Sequence, residues 1–340
     1  MQRVIFTSQP SSAELCLNEM NKANLKFSFI KWLDGGVGII ETDKSFSEFS
    51  KDIKKSKLIF LRHICPVDQI IQINTSETDG LNDNIIKLTI DKILIHVPKD
   101  ASLSVQIRRS SSAKYDISDL QHDMAEYLKK SDFIINVSQP EYIVSVYIYR
   151  DVAYFGMSKT EDNLSSWPGG MRRYAILPET VSRAEFKLLE AIEYLNIDIS
   201  GGHALDLGAA PGGWSRVLAD KGCKVDSVDP ADLDESVKNY VNITHYKCLA
   251  QEFIIHNKRC YDIIVNDMKM DVLQSAGIIM DFSDYLKSDG IVIITFKLVK
   301  KNRVSVINKG MSALSSRFDC IMAKQLFNNR SEITVALKKK

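Results

Sequence analysis

The stretch His203-Ala204-Leu205-Asp206-Leu207-Gly208-Ala209-Ala210-Pro211-Gly212-Gly213-Trp214-Ser215 decides the fold of the C-terminal half. It reads as a buried strand, a tight glycine loop and the start of a helix. Small residues in such a loop let a ligand approach the backbone closely. Residues 224–228 read as a second strand ending at Asp229, about 20 residues past the loop. A carboxylate there can accept both ribose hydroxyls of an adenosine. The natural rival is a dinucleotide-binding G-x-G-x-x-G. The glycines here, Gly208, Gly212 and Gly213, do not have that spacing, and Asp206 stands two residues before the first of them. A carboxylate at that place disfavours a pyrophosphate and suits the ammonium of a methionine moiety.

The string LDLGAAPGGWS closely resembles the first motif of S-adenosylmethionine-dependent methyltransferases of the FtsJ/RrmJ type, which methylate ribose 2′-hydroxyls of RNA. The resemblance covers residues 181–337. It implies an α/β fold with a Rossmann-like, doubly wound methyltransferase sheet, and S-adenosylmethionine held by Asp206, Gly208, Ala209, Pro211, Gly212, Gly213, Trp214 and Asp229. That family's third motif usually supplies an acidic residue near the adenine. Here the place reads Ala250-Gln251-Glu252-Phe253, so Gln251 takes it.

The same resemblance implies a Lys-Asp-Lys-Glu tetrad. The segment Val181-Ser182-Arg183-Ala184-Glu185-Phe186-Lys187-Leu188 gives Lys187, and Ser182 with Glu185 has the form of a capping box. An apolar strand at 261–266 ends in Asp267, another at 291–296 ends in Lys297, and Glu332 precedes a final strand at 333–337. The family often continues its aspartate motif with Ala-Pro, whereas this chain has Lys269-Met270, a departure on the substrate-side loop. In a doubly wound sheet the crevice lies at the carboxyl ends of the strands. Asp267 and Lys297 end strands, an antiparallel last strand brings Glu332 to the same edge, and Lys187 begins a helix that starts there.

The residue types suit the chemistry. A ribose hydroxyl must lose its proton as it attacks, and a neutral amine can take it. At a reference pKa of about 10.4, roughly one lysine in 2,500 is neutral at pH 7. A neighbouring cation with partial burial lowers that pKa, and around three units is worth about 4 kcal/mol. The expected roles are therefore Lys297 as general base, Lys187 as the cation that tunes it, and Asp267 and Glu332 as orienting carboxylates.

Other residues carry weaker readings. Trp214 reads as a packing residue of loop and helix more than a base-stacking platform. His203, His245 and His256 lack metal-ligand spacing, so no metal site is expected. Asp262 reads as a strand-entry residue, and Lys300-Lys301-Asn302-Arg303 as either a solvated loop or an RNA-backbone contact. The terminal Lys338-Lys339-Lys340 reads as a solvated tail.

The 340 residues, 45% hydrophobic and 26% charged, can bury a sizeable core and suggest about two domains. A formal net charge of +1 means that any contact with nucleic acid must use a local basic patch. There is no run of apolar residues long enough for a membrane span and no signal-peptide layout at 1–10, so a cytoplasmic location is the default. Six scattered cysteines without a C-x-x-C pair read as reduced thiols.

The order β-α-β-β-α-β over residues 1–74 is a ferredoxin-like pattern, and the polar run at 75–83 reads as a linker. Residues 84–158 carry apolar runs at 93–97, 104–107, 133–137, 142–149 and 152–156 around a helix at 117–129. This pattern resembles a THUMP domain, an RNA-binding module joined to RNA-modifying enzymes, with Arg108 and Arg109 as candidate phosphate contacts. The catalytic domain is expected over 164–340. That order, together with the run from Ala323 to Val335, resembles the bacterial large-subunit rRNA ribose 2′-O-methyltransferase M family. The resemblance implies RNA as partner, 23S rRNA in particular. Two rivals are a transfer-RNA ribose methyltransferase and a non-catalytic RNA-binding protein with a relic cofactor fold; the intact tetrad argues against the relic.

Overall fold

The computed structural model describes residues 1–73, 95, 97–98, 100–113, 117–131, 133–299 and 302–340. The expected linker at 75–83, most of the apolar run at 93–97, and Lys300-Lys301 lie outside the described residues. Contacts divide the chain into two compact units, Met1–Arg172 and Arg173–Lys340.

The first unit begins with β1 (Gln2–Thr7), α1 (Ala13–Lys22), β2 (Ser28–Asp34), β3 (Val37–Thr42), α2 (Phe46–Lys55) and β4 (His63–Val67). Their sheet has the order β2-β3-β1-β4 with every ladder antiparallel, as a β-α-β-β-α-β chain requires when each helix crosses one face. A capping box starts α2: Ser45 Oγ accepts from Glu48 N at 3.3 Å, and Glu48 Oε2 accepts from Ser45 N at 3.0 Å. α1 starts at Ala13, directly after a 3₁₀ turn at Pro10–Ser12, with no side-chain cap bond from Ser12.

A second sheet of the same unit holds β5 (Gln69–Gln72), β6 (Ser102–Arg109), β7 (Ile134–Ile135), β8 (Tyr142–Tyr149) and β9 (Val152–Lys159), in the order β5-β9-β8-β6-β7. One face buries Leu103, Val144, Val146 and Phe155 under Leu120, Met124 and Leu128 of α3 (Ser118–Lys130), three residues at a spacing of four along one helix stripe. Tyr147 and Tyr154 pack with Ile5, Ile39 and Cys65 of the first sheet. Arg108 stacks on Tyr147 at 5.1 Å, a Cβ at Gly169 would fall 2.3 Å from its Nη1, and burial pulls its pKa down. Arg109 Nη1 donates to Ala113 O at 3.1 Å. Both guanidiniums thus have partners inside the unit. Residues 164–172, read above with the catalytic part, are fastened to this first unit: Thr7 Oγ1 donates to Gly169 O at 2.8 Å, and Gln106 Nε2 donates to Ser166 O at 2.6 Å.

The second unit carries α4 (Glu185–Leu195), β10 (His203–Leu207), α5 (Gly213–Asp220), β11 (Lys224–Val228), α6 (Glu235–Lys238), β12 (Ile243–Tyr246), α7 (Ala250–His256), β13 (Tyr261–Asn266), α8 (Val272–Asp281), β14 (Leu286–Lys297), α9 (Arg303–Leu314), β15 (Phe318–Lys324) and β16 (Glu332–Lys339). Seven strands form one sheet in the order β12-β11-β10-β13-β14-β16-β15. The ladders from β12 to β14 are parallel, and those joining β14, β16 and β15 are antiparallel. Helices cover the parallel strands, so these read as continuous apolar runs: Ala204, Leu205 and Leu207 in β10 and Ile263, Ile264 and Val265 in β13 are all buried. The order reverses at β10, and at that switch point the glycine loop emerges. Among the described residues no helix is long and apolar enough to cross a membrane.

Candidate active site

The loop after β10 has no room for side chains. Gly208 has φ +75° and Gly212 φ +108°, both in the left-handed region. A Cβ on Gly208 would fall 2.1 Å from Met268 Cγ, one on Gly212 2.9 Å from Val237 Cγ1, and one on Gly213 2.5 Å from Ser182 Oγ. Asp229, just past β11, braces the loop: Oδ2 accepts from Ala210 N at 3.1 Å and Oδ1 from Ala231 N at 2.8 Å. Ala209 is buried with Leu233 and Val237, while Pro211 and Gln251 are exposed.

Asp206 lies beneath this loop, 1% exposed, and accepts from Ser215 Oγ at 2.6 Å. Burial pushes its carboxyl up to about 7 against the counteracting hydrogen bond from Ser215. Trp214 is 3% exposed and donates from Nε1 to Ala184 O at 2.7 Å, so its ring packs α5 against the segment leading into α4.

That segment positions the first lysine. The Glu185 carboxylate accepts from Val181 N at 2.8 Å and from Ser182 N at 3.3 Å, and it is paired with Arg216 of α5. Only half of the expected capping box is made. Ser182 Oγ is buried without a hydrogen-bond partner, and it faces Gly213. Its role was not visible in sequence because a serine three residues before a glutamate has a sufficient local explanation as a cap.

Lys187 leaves the first turn of α4 and meets both tetrad carboxylates. Its Nζ lies 2.9 Å from Asp267 Oδ2 and 2.6 Å from Glu332 Oε1. Lys297 Nζ lies 2.5 Å from Asp267 Oδ1 and 2.5 Å from Glu332 Oε2. Each ammonium thus bridges both carboxylates in a closed ring of alternating charge. Antiparallel pairing of β14 with β16 sets Lys297 directly opposite Glu332. The side chains keep between 9% and 23% of their exposure, so the ring is sheltered and still reachable. Thr295, two residues before Lys297 on the same face of β14, donates from Oγ1 to Asp267 Oδ1 at 2.6 Å. Strand periodicity alone could have shown this residue.

The electrostatics follow from the ring. Burial opposes the charge on Lys187, and Asp267 and Glu332 together outweigh it, so its pKa is raised. Burial likewise opposes ionisation of Asp267, and Lys297 and Lys187 outweigh it to hold that carboxyl low. The ring opens into a cleft of about 1100 Å³ lined in part by Phe186, Lys269, Phe327 and Arg330.

Residues 180–323 match the family described as FtsJ-like methyltransferase, so the second unit is related to those enzymes. The ribosomal RNA large subunit methyltransferase M of Shewanella woodyi is 26% identical over 312 residues, covering 85% of this chain and 83% of the relative. Its namesake in Pseudomonas entomophila is 26% identical over 231 residues, 62% of each protein. In Aromatoleum aromaticum the protein of that name is 31% identical over 181 residues, 49% of this chain and 48% of the relative. Against the latter two, the chain thus spans about half to three fifths of the relative's own length.

Proposed function

We propose that the FtsJ-like second unit is the catalytic domain of an S-adenosylmethionine-dependent RNA ribose 2′-O-methyltransferase that acts on large-subunit (23S) ribosomal RNA in the cytoplasm. The observation that carries this reading is the closed ring of Lys187, Asp267, Lys297 and Glu332 beside the glycine loop. The relatives named above point to ribosomal RNA as the substrate. RNA recognition by the THUMP-like part of the first unit belongs to the same proposal.

The loop fits the cofactor by its own geometry. Gly208, Gly212 and Gly213 shape a backbone turn where a side chain could not stand, and Ser182 Oγ beside it is a buried polar atom without a hydrogen-bond partner. Asp206 beneath the loop suits an ammonium group, Asp229 a ribose, and Gln251 the adenine side; Ala209, Pro211 and Trp214 complete the loop. The cofactor supplies an electrophilic methyl group to this site. The protein's part is to place the ribose hydroxyl and take its proton. Lys297 Nζ serves as general base once it has lost a proton to solvent. Lys187, held charged by both carboxylates, keeps those carboxylates in place while Lys297 changes state. Asp267 is in turn steered by Thr295.

Lys297→Ala should lower methyl transfer by at least roughly 10²-fold while cofactor binding persists. Lys297→Arg should fail equally, because a guanidinium cannot act as a base near neutral pH. The modified link should resist alkaline cleavage, since a blocked 2′-oxygen cannot attack the neighbouring phosphate. A methylated product still cleaved by alkali at that link would place the methyl on the base and refute the reading.

A further inference from the structure

The ring contributes no net charge: two ammonium groups face two carboxylates. A polyanionic substrate therefore gains little net Coulombic attraction from the residues proposed to react with it. Nor does the chain as a whole supply it, at a formal net charge of +1. The attraction has to come from local cations at the rim of the cleft.

Lys269 and Arg330 are two such cations. Both side chains are exposed, both line the same cleft as Lys187 and Lys297, and neither forms an ion pair among the described residues. They flank Lys297 along the sheet edge. Lys269 follows the end of β13, and Arg330 precedes the start of β16, with β14 between those strands. At roughly 4.8 Å per strand, the strands bearing them are roughly 10 Å apart. Both stand on braced turns. Met268 N donates to Asn266 Oδ1 at 3.0 Å and Met270 N to Met268 O at 3.1 Å on one side. On the other, Gln325 Nε2 donates to Arg330 O at 3.2 Å, and the Asn329 carboxamide bonds Leu326 N at 2.9 Å and Thr334 Oγ1 at 3.0 Å. Cations on braced turns lose little backbone freedom when a ligand arrives.

We propose that Lys269 and Arg330 are the substrate-positioning pair, gripping the two backbone phosphates on either side of the reacting ribose so that its 2′-hydroxyl is presented to Lys297. The pair acts by positioning and takes no part in proton transfer. This inference rests on the reading of the ring as a ribose-methylating site. It gives Lys269, where the family often has alanine, a function of its own in this chain.

The test is binding of a short single-stranded RNA to the full chain, followed by fluorescence anisotropy over a range of salt concentrations. Each phosphate contact contributes about 0.7 to the slope of log K against log salt for a single strand. Lys269→Ala and Arg330→Ala should each lower the slope by about that amount, and the double variant by about twice as much. In methyl transfer, each should raise KM for RNA far more than it lowers kcat. Lys269→Arg and Arg330→Lys should restore the slope, and cofactor binding measured by calorimetry should be unchanged throughout. Single-stranded DNA of matching sequence should lose the same slope in each alanine variant. Unchanged slopes in the alanine variants would overturn the proposal, as would a loss seen with RNA and absent with DNA. Lys297→Ala separates the two readings. Retained transfer in that variant defeats the ribose chemistry, while the slopes of the other variants still judge the grip.

Discussion

Asp206 combines burial with an assignment that needs its charge. With its pKa pushed up to about 7, the free protein holds much of it neutral below that pH. A ligand ammonium favours the carboxylate, so cofactor affinity should rise with pH up to about 7, approaching tenfold per unit on the acid side. Calorimetry from about pH 5.5 to about pH 7 should show this rise with proton release, and Asp206→Asn should flatten it. The same burial has a stability sign. A carboxyl whose folded pKa lies above its unfolded value makes a contribution that is largest at low pH and is lost as pH rises from about 4 through about 7. Gly212 answers to sterics instead. Gly212→Ala forces a side chain into φ +108° and against Val237, so it should cost roughly 1–3 kcal/mol in thermal unfolding and weaken the cofactor more than the RNA. The tetrad residues were legible because each sits at a recognisable element end. Ser182 was not, since a cap serine already had a local explanation; Thr295 was passed over although strand periodicity places it on the face of Lys297.

Glu190 shows how the elements around the site are tied. One turn after Lys187 on α4, it is 7% exposed, and its carboxylate accepts from Phe327 N at 2.8 Å, Asn328 N at 2.8 Å and Asn328 Nδ2 at 2.6 Å. The helix that carries one lysine thereby holds the loop leading to Glu332. In Glu190→Gln an amide NH₂ replaces one accepting oxygen, so a buried N–H loses its partner at a cost of about 1–3 kcal/mol. We expect a lowered denaturation midpoint and a reduced kcat, with cofactor affinity retained. Elements with strong periodicity read correctly from the chain, as β8 and β10 show. Short ones did not. β5 is four residues long and finds its ladder only by pairing with β9, some 80 positions away, and nothing local announces that partner.

For the molecule, contacts separate residues 1–172 from 173–340, and every proposed catalytic and cofactor residue lies in the second unit. Expressed alone, residues 173–340 should fold and bind S-adenosylmethionine in calorimetry while losing productive methylation of long RNA. Full activity of that fragment would show that the first unit is dispensable for substrate capture. The catalytic domain was expected from residue 164, whereas contacts group with the first unit the stretch at 164–172, which holds Trp167, Pro168, Gly169 and Gly170. Its fastening to Thr7 and Gln106 depends on residues far away in sequence. The strand order of the second unit has a consequence in time. Lys187 and Glu332 touch across 145 positions of chain, and β16 enters the sheet between β14 and β15. Contacts of such long range form late, after shorter loops have closed. During refolding, the ladders joining β14, β16 and β15, each closed across fewer than 50 positions, should recover before Lys187 is docked against Glu332. Methyl transfer should return only with that docking of α4, so recovered turnover would clock the final step of the unit's assembly.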